Sequence, residues 1–139
     1  MIDSNIAVSL LMNLPYSEHA RNAAQEADGL IAPELIYSEF TNALWKIAII
    51  SGTSEELLHT ILARLYVLLD YTADRRELAT EALRLAIRLR HPAYDCFYVA
   101  LAKSRGIPLL TADRKLANVI LGAGVKIDLR FIESDPNIR

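Results

Sequence analysis

The chain has 139 residues, 53% of them hydrophobic and 23% charged, which fits one globular domain and excludes a disordered protein. Its formal net charge of −2 gives no broad basic surface, so contact with nucleic acid would need a local basic rim or a bound cation. The single cysteine, Cys96, excludes an internal disulfide and a cysteine-ligated zinc site. Its apolar neighbours predict a small buried side chain.

Short strands and helices alternate along the sequence, as the spacing of apolar residues indicates. In chain order the elements are a strand at 1–3, helices at 4–12 and 17–27, a strand at 30–32, helices at 33–51 and 53–69, an extended piece at 70–72, helices at 73–90 and 92–105, a strand at 107–111, a helix at 113–120 and a strand at 125–129. This alternation predicts an α/β fold with right-handed crossovers and a mostly parallel sheet between helices.

Several helix starts are predicted from capping signals. Asp3 or Ser4 caps the first helix, and Pro33 occupies the first position of the third. Thr53 and Glu56 form a capping box ahead of the fourth helix.

The amino-terminal segment is predicted to be neither a signal peptide nor a membrane span. It carries Asp3, and its apolar run breaks at Asn13 and Pro15, short of the ~20 apolar residues that a span requires. We therefore expect a cytoplasmic protein without membrane contact. The mean hydropathy of +0.21 is high for a monomer of this size, which predicts that some apolar surface meets another chain.

Four acidic residues are predicted at one edge of the sheet. Asp3 and Asp113 each end a strand and open a helix. Asp95 falls in the first turn after Pro92, and Glu39 falls in the second turn of its helix. Because helix starts gather at the carboxyl ends of parallel strands, all four carboxylates should point to the edge where such folds bind ligands.

Each acid also has a simpler interpretation. Asp3 and Asp113 could be N-caps worth about 1 kcal/mol each, Asp95 could face a helix dipole, and Glu39 could lie on a solvated face. Two charges ~5 Å apart repel by about 3 kcal/mol at an effective dielectric of about 20, so four together predict a cation among them. Oxygen ligands favour Mg²⁺ or Mn²⁺, which support phosphoryl chemistry by lowering the pKa of bound water.

The stretches IDSN, YSEFTNAL and AYDCFYVALAKSRGIPLLTADRKLA resemble the PIN-domain nucleases, most closely the VapC toxins of type II toxin–antitoxin modules. The resemblance spans essentially the whole chain, and its most specific part is YD-x-x-YVALA followed by a strand and TAD. It implies a single PIN-like α/β domain over residues 1–139, with about four to five short parallel strands between helices. It also implies an Mg²⁺- or Mn²⁺-dependent endoribonuclease that hydrolyses RNA phosphodiesters with a metal-activated water.

The resemblance assigns the catalytic metal ligands by motif. Asp3 matches the acid of the first strand, and Glu39 matches the acid of the helix after the second strand. Asp95 matches the acid of the YD block, and Asp113 matches that of TAD. The similar stretch TADRRELA at 72–79 contains Asp74, which matches no family acid and is therefore interpreted as a helix cap.

Other roles follow from the resemblance and from charge. Thr111, and Ser4 or Asn5, match the small polar positions that orient metal-bound water or phosphate. Four basic residues could contact RNA phosphates, with ordinary solvated charge as the alternative: Arg114, Lys115, Lys103 and Arg105. His91 is interpreted as a loop or cap residue.

The partners implied are an RNA substrate, a small VapB-like antitoxin and a second copy of the chain. Two nearly all-apolar helix segments, 45–50 and 65–69, would form the homodimer surface and the antitoxin groove. Only Met1 and Ile2 precede Asp3, fewer than in most PIN domains, so either the central strand is very short or the true start lies upstream.

Three other hypotheses remain open at this point. The chain could be an RNA-processing PIN nuclease without an antitoxin, or a catalytically silent PIN fold that only binds partners. A phosphoacceptor receiver domain is a third, but it needs adjacent acids after the first strand, where this chain has DSN.

Overall fold

The computed structural model describes residues 1–12, 14 and 17–133. In chain order its elements are α1 (Ser4–Met12), α2 (Ser17–Gln25), β1 (Ile31–Pro33), α3 (Leu35–Ser51), α4 (Glu55–Leu68), β2 (Tyr71–Ala73), α5 (Arg75–Leu89), α6 (Ala93–Arg105), β3 (Leu109–Thr111), α7 (Arg114–Gly122) and β4 (Leu129–Phe131). The predicted alternation of strands and helices is confirmed. Asn13 and Pro15, where the first apolar run was predicted to break, and the end of the predicted domain at 134–139 lie outside the described residues.

The extended segment Met1–Asp3 lies at the centre of the sheet. β1 pairs with β2, and β3 pairs with β4, each in parallel. Between these pairs, the Ile2 amide donates to the Ile31 carbonyl at 3.2 Å, and the Leu110 amide donates to the Met1 carbonyl at 2.9 Å. The strand order is therefore β2, β1, residues 1–3, β3, β4, which confirms the predicted parallel sheet of about four to five short strands.

Helices cover the sheet in two groups. α1 packs against α2, α3 and α4, whereas α5 packs along α6. Because crossovers between parallel strands are right-handed, strands added on opposite sides of residues 1–3 place these two groups on opposite faces. The core between the layers contains Ile36, Phe40 and Leu109, each fully buried and worth about 1.5–3 kcal/mol of transfer free energy.

The order of connections makes residues 1–3 a topological switch point of the sheet. From residues 1–3 the chain moves to β1 and β2 on one side and then returns to β3 and β4 on the other. Neighbouring connections therefore diverge at the central segment, which is where open α/β sheets bind ligands.

Two predicted helix starts are wrong in detail. Pro33 ends β1 instead of opening a helix, because the Glu34 amide donates to the Ala73 carbonyl at 2.9 Å and extends the strand pairing. The helix α4 is capped by Ser54, whose hydroxyl accepts from the Leu57 amide. The Thr53 hydroxyl bonds to Ser51 at 2.7 Å instead, so the predicted capping box does not form.

The last strand also lies later than predicted. The Val125 amide donates to the Ile120 carbonyl at 3.2 Å, and the Ile127 amide donates to Val125 at 3.1 Å. These bonds use residues 125–127 to close the end of α7, so pairing with β3 begins only near Asp128. No helix in the described part of the chain is long and apolar enough to cross a membrane.

We predict that Ile2→Ala lowers the free energy of unfolding by about 2–4 kcal/mol, because Ile2 is fully buried at the centre of the sheet. Urea unfolding followed by circular dichroism measures this change. Ile87→Ala is the control, since Ile87 on α5 is 71% exposed and should change stability by less than about 0.5 kcal/mol. Equal losses in both variants would contradict the central position of Ile2.

Candidate functional site

Asp3 is buried where the central segment meets α1. Its Oδ1 accepts a hydrogen bond from the Ile6 amide at 2.9 Å, so the N-cap interpretation is correct. Its Oδ2 accepts from the Thr111 hydroxyl. Burial raises the pKa of Asp3 to about 7 despite these two bonds, and the nearby Asp113 and Glu39 carboxylates raise it further.

Thr111 links Asp3 to Asp113. The Thr111 hydroxyl is fully buried; it donates to Asp3 and accepts from the Asp113 amide at 3.0 Å. The Asp113 Oδ1 in turn accepts from the Leu116 amide at 3.0 Å, which makes Asp113 the N-cap of α7. Thr111 therefore fixes two acids at the end of β3 and does not face solvent.

Glu39 lies in the second turn of α3 and contacts α6. The Tyr98 hydroxyl donates to Glu39 Oε2 at 2.5 Å. Burial raises the pKa of Glu39, the Tyr98 and Ser4 hydroxyls offset part of this rise, and the Asp95 carboxylate adds to it. Burial together with the Glu39 charge also raises the pKa of Tyr98, so this phenol stays a proton donor at neutral pH.

Asp95 lies in the first turn of α6, as predicted, and is partly exposed. Its Oδ2 lies 2.7 Å from Nε2 of His91, four residues earlier. The ring of His91 is almost completely buried. Asp95 is thus held by a side chain from the corner between α5 and α6.

Electrostatic repulsion links the four acids in series. The charges of Asp113 and Glu39 each raise the pKa of Asp3, and the charge of Asp95 raises the pKa of Glu39. The structure therefore brings the four predicted carboxyl groups to one edge of the sheet. Within residues 1–12, 14 and 17–133, however, no three His, Cys, Asp or Glu side chains are arranged to hold a metal ion.

The other predicted site residues lie at different distances from this edge. Ser4 begins α1 beside Glu39, and Asn5 is exposed on the same helix. Arg114 and Lys115 begin α7 directly after Asp113.

Lys103 and Arg105 lie at the far end of α6. Lys103 is eight residues from Asp95, about 12 Å along the helix axis. It bonds to Glu81 at 2.5 Å, and Arg105 stacks over the Tyr71 ring at 5.7 Å. The structure does not bring these two basic residues to the acids.

Two residues that support the site were not predicted from the sequence. Tyr98 lies three residues after Asp95, a spacing typical of one helix face, and His91 lies just before Pro92, which opens the same helix. That spacing was the available signal, but both residues also fit ordinary roles in packing or capping. Cys96 is fully buried as predicted, and burial raises its pKa to about 11.

Comparisons with known proteins cover the residues that form this site. The family model described as PIN domain matches residues 1–120, a span that includes all four acids. Ribonuclease VapC3 from Pyrobaculum aerophilum is 31% identical over 119 residues, which cover 84% of this chain and 91% of that protein. Ribonuclease VapC1 from Mycobacterium tuberculosis is 35% identical over 88 residues, covering 62% of this chain and 64% of that protein.

We predict that the metal-free protein becomes less stable as the pH rises from about 4 to about 7. The pKa of Asp3 is raised from 3.8 to about 7, so the folded protein keeps a proton that the unfolded chain releases in this range. The loss reaches roughly 4 kcal/mol at most, since one pKa unit corresponds to about 1.4 kcal/mol. Urea unfolding in EDTA at several pH values measures it.

Asp3→Asn should weaken this pH dependence, because the amide is neutral throughout and still accepts from the Ile6 amide. Asp74→Asn is the control. Arg76 lowers the pKa of Asp74, so removal of this carboxyl group changes the pH dependence of stability in the acid range, with the opposite sign to the change at Asp3. An unchanged slope in the Asp3 variant would contradict the burial of a titrating carboxyl group there.

Proposed function

Because the chain belongs to the PIN-domain family, we propose that it is a metal-dependent endoribonuclease, the toxin of a VapBC-type toxin–antitoxin module. The observation that carries the proposal is the series of four carboxyl groups at the carboxyl edge, with raised pKa values at Asp3 and Glu39. The names of the two relatives support RNA as the substrate. We further propose one PIN domain over residues 1–139 and a cytoplasmic location.

Asp3, Glu39, Asp95 and Asp113 would hold the cation, directly or through water. Their donors are all carboxylate oxygens, which fit a hard ion such as Mg²⁺ or Mn²⁺. Burial is the main cause of the raised pKa values of Asp3 and Glu39, and a cation would relieve the repulsion from neighbouring carboxylates that adds to it. A bound divalent cation supplies charge that lowers the pKa of water and stabilises the transition state at phosphorus.

The protein's own residues hold these acids in place. Thr111 restrains Asp3, and Tyr98 restrains Glu39, through neutral hydroxyl donors that add no positive charge to the site. Ser4 and Asn5, at the start of α1, would orient water or phosphate. Donors of this kind limit rotation of the acids without neutralising them.

RNA would approach the acids along the start of α7. Arg114 and Lys115 follow Asp113 directly and are exposed. Arg114 also pairs with Glu133 at 2.9 Å, so Lys115 is the more available cation for a phosphate. Lys103 and Arg105, at the other end of α6, would act only on a more distant part of the RNA.

We propose that the exposed sides of α3 and α4 bind an antitoxin and a second copy of the chain. Trp45 and Ile49 on α3 are 59% and 71% exposed, and Val67 on α4 is 88% exposed. By contrast, Leu65 and Leu69 are buried in the core. The predicted apolar segment 65–69 therefore contributes side chains both to the core and to the exposed surface. Apolar side chains of this size at a surface are typical of protein interfaces.

Asp95→Asn should reduce RNA cleavage by the antitoxin-free protein at least about a hundredfold in Mn²⁺. Loss of a group that only supports a metal ligand already costs about 10–100-fold, so a ligand itself should cost more. Single-turnover cleavage of a labelled RNA, with and without EDTA, measures the rate.

Asp74→Asn is the matched control for this experiment, because Asp74 caps a helix at the same edge of the sheet. We expect it to cleave at the wild-type rate. The nuclease proposal is wrong if the Asp95 variant is as fast as the wild type. A wild type that cleaves no RNA with either ion would instead indicate a silent PIN fold that only binds partners.

Ile50→Asp and Val67→Asp should each weaken the association with a second chain by at least about tenfold, because burying a charge in an apolar contact costs more than about 1.4 kcal/mol. Light scattering after gel filtration measures the homodimer, and co-purification with a short partner chain tests the antitoxin. Asn118→Asp, which adds the same charge on α7, should change neither. Unchanged association in both apolar variants would exclude this surface.

A further inference from the structure

His91 is a buried polar side chain for which the proposed chemistry gives no role. Its Nε2 lies 2.7 Å from Asp95 Oδ2, and its side chain is 3% exposed, whereas that of Asp95 is 31% exposed. A second histidine–carboxylate pair with the same spacing, His59 and Glu55, is 3.4 Å apart with both side chains largely exposed. The buried pair is therefore unlike the ordinary surface pair on α4.

The backbone fixes the His91 ring before Asp95 does. Arg90 has a φ of 50° and is the one residue other than glycine with positive φ in the described part of the chain. The His91 amide then donates to the Ala86 carbonyl at 3.2 Å, which closes the end of α5. Pro92 follows with its φ restricted and opens α6. This corner places the His91 backbone directly before α6, where its side chain reaches Asp95 in the first turn.

The chemistry of the pair sets the direction of the hydrogen bond. A carboxylate that binds a cation is ionised and only accepts hydrogen bonds, so in that state His91 donates through Nε2–H to Oδ2 of Asp95. The bond uses one carboxylate oxygen and leaves Oδ1 for another ligand. Side chains that hold metal-binding groups by hydrogen bonds in this way orient them and increase their affinity for the metal.

We propose that His91 is a positioning residue that holds Asp95 in the orientation needed to bind the divalent cation. The inference rests on the proposed function, in which Asp95 is a ligand of that cation. His91 itself does not contact the cation or the RNA. Its contribution is a fixed donor, placed by the corner between α5 and α6, that restricts rotation of the Asp95 carboxylate.

Calorimetric titration of the folded, metal-free protein with Mn²⁺ alone tests this role without measuring cleavage. His91→Leu should raise the dissociation constant about 10–100-fold, because it removes the donor and keeps an apolar side chain in the buried position. His91→Gln places an amide donor near the position of Nε2 and should bind Mn²⁺ within about threefold of wild type. His59→Leu, the control on α4, should not change the affinity.

If the His91→Leu variant does not fold, a comparison of two polar variants tests the same role. His91→Asn keeps a polar side chain but is too short to reach Asp95, so it should bind Mn²⁺ as weakly as the Leu variant is expected to. The His91→Gln variant provides the contrast. If the Gln variant binds as weakly as the Asn variant, the hydrogen bond is not responsible and the proposal is overturned.

The failure of this inference differs from the failure of the proposed function. Wild-type affinity in the Leu variant would overturn the role of His91 while leaving the metal site intact. Wild-type protein that binds no Mn²⁺ would overturn both. In a protein that already carries Asp95→Asn, His91→Leu should cause no further loss of Mn²⁺ affinity, and an additional loss would show that His91 acts independently of Asp95.

Discussion

The fold and the site both depend on the backbone hydrogen bonds of three residues, Met1 to Asp3. Through Ile31 on one side and Leu110 on the other, this segment joins two pairs of strands that have no direct contact through their ladders. Because this segment has only three residues and α1 begins at Ser4, Asp3 occupies the buried junction between the sheet and α1. The desolvation of its carboxyl group is therefore a consequence of the topology.

This burial creates an electrostatic cost that the protein only partly offsets. The groups that bond to the two most buried acids are neutral: a backbone amide and the Thr111 hydroxyl at Asp3, and the Tyr98 hydroxyl at Glu39. In the described residues, no lysine or arginine forms an ion pair with any of the four acids at the edge. A basic side chain would stabilise the metal-free site but would compete with a bound cation. Neutral donors stabilise the metal-free protein less than a basic side chain would, and they leave the acids free to bind a cation.

The sequence predicted site residues best where one residue both caps a helix and ends a strand. Asp3 and Asp113 end strands and cap helices, so their common edge follows from parallel topology alone, and both caps were confirmed. The metal-ligand roles of these acids stay a prediction. Pro33 was misplaced because strand pairing continues to the Glu34 amide, and Thr53 because Ser54 caps α4 while the Thr53 hydroxyl bonds to Ser51. Lys103 was predicted as a possible RNA contact from its charge, but α6 carries it about 12 Å along the helix axis from Asp95.

Helix α6 explains why Asp95 stands in an aromatic run. Asp95 and Tyr98 lie one turn apart, so the helix that bears one predicted acid also supplies the donor for another, Glu39 on α3. Because α3 and α6 belong to different helix groups, this bond joins them at the edge of the sheet. Tyr98 thus has two roles: its ring is buried in the core, and its hydroxyl holds the Glu39 carboxylate. The position of Asp95 is then favourable because the residues around it, His91 before and Tyr98 after, each complete a hydrogen bond that the carboxyl groups would otherwise lack.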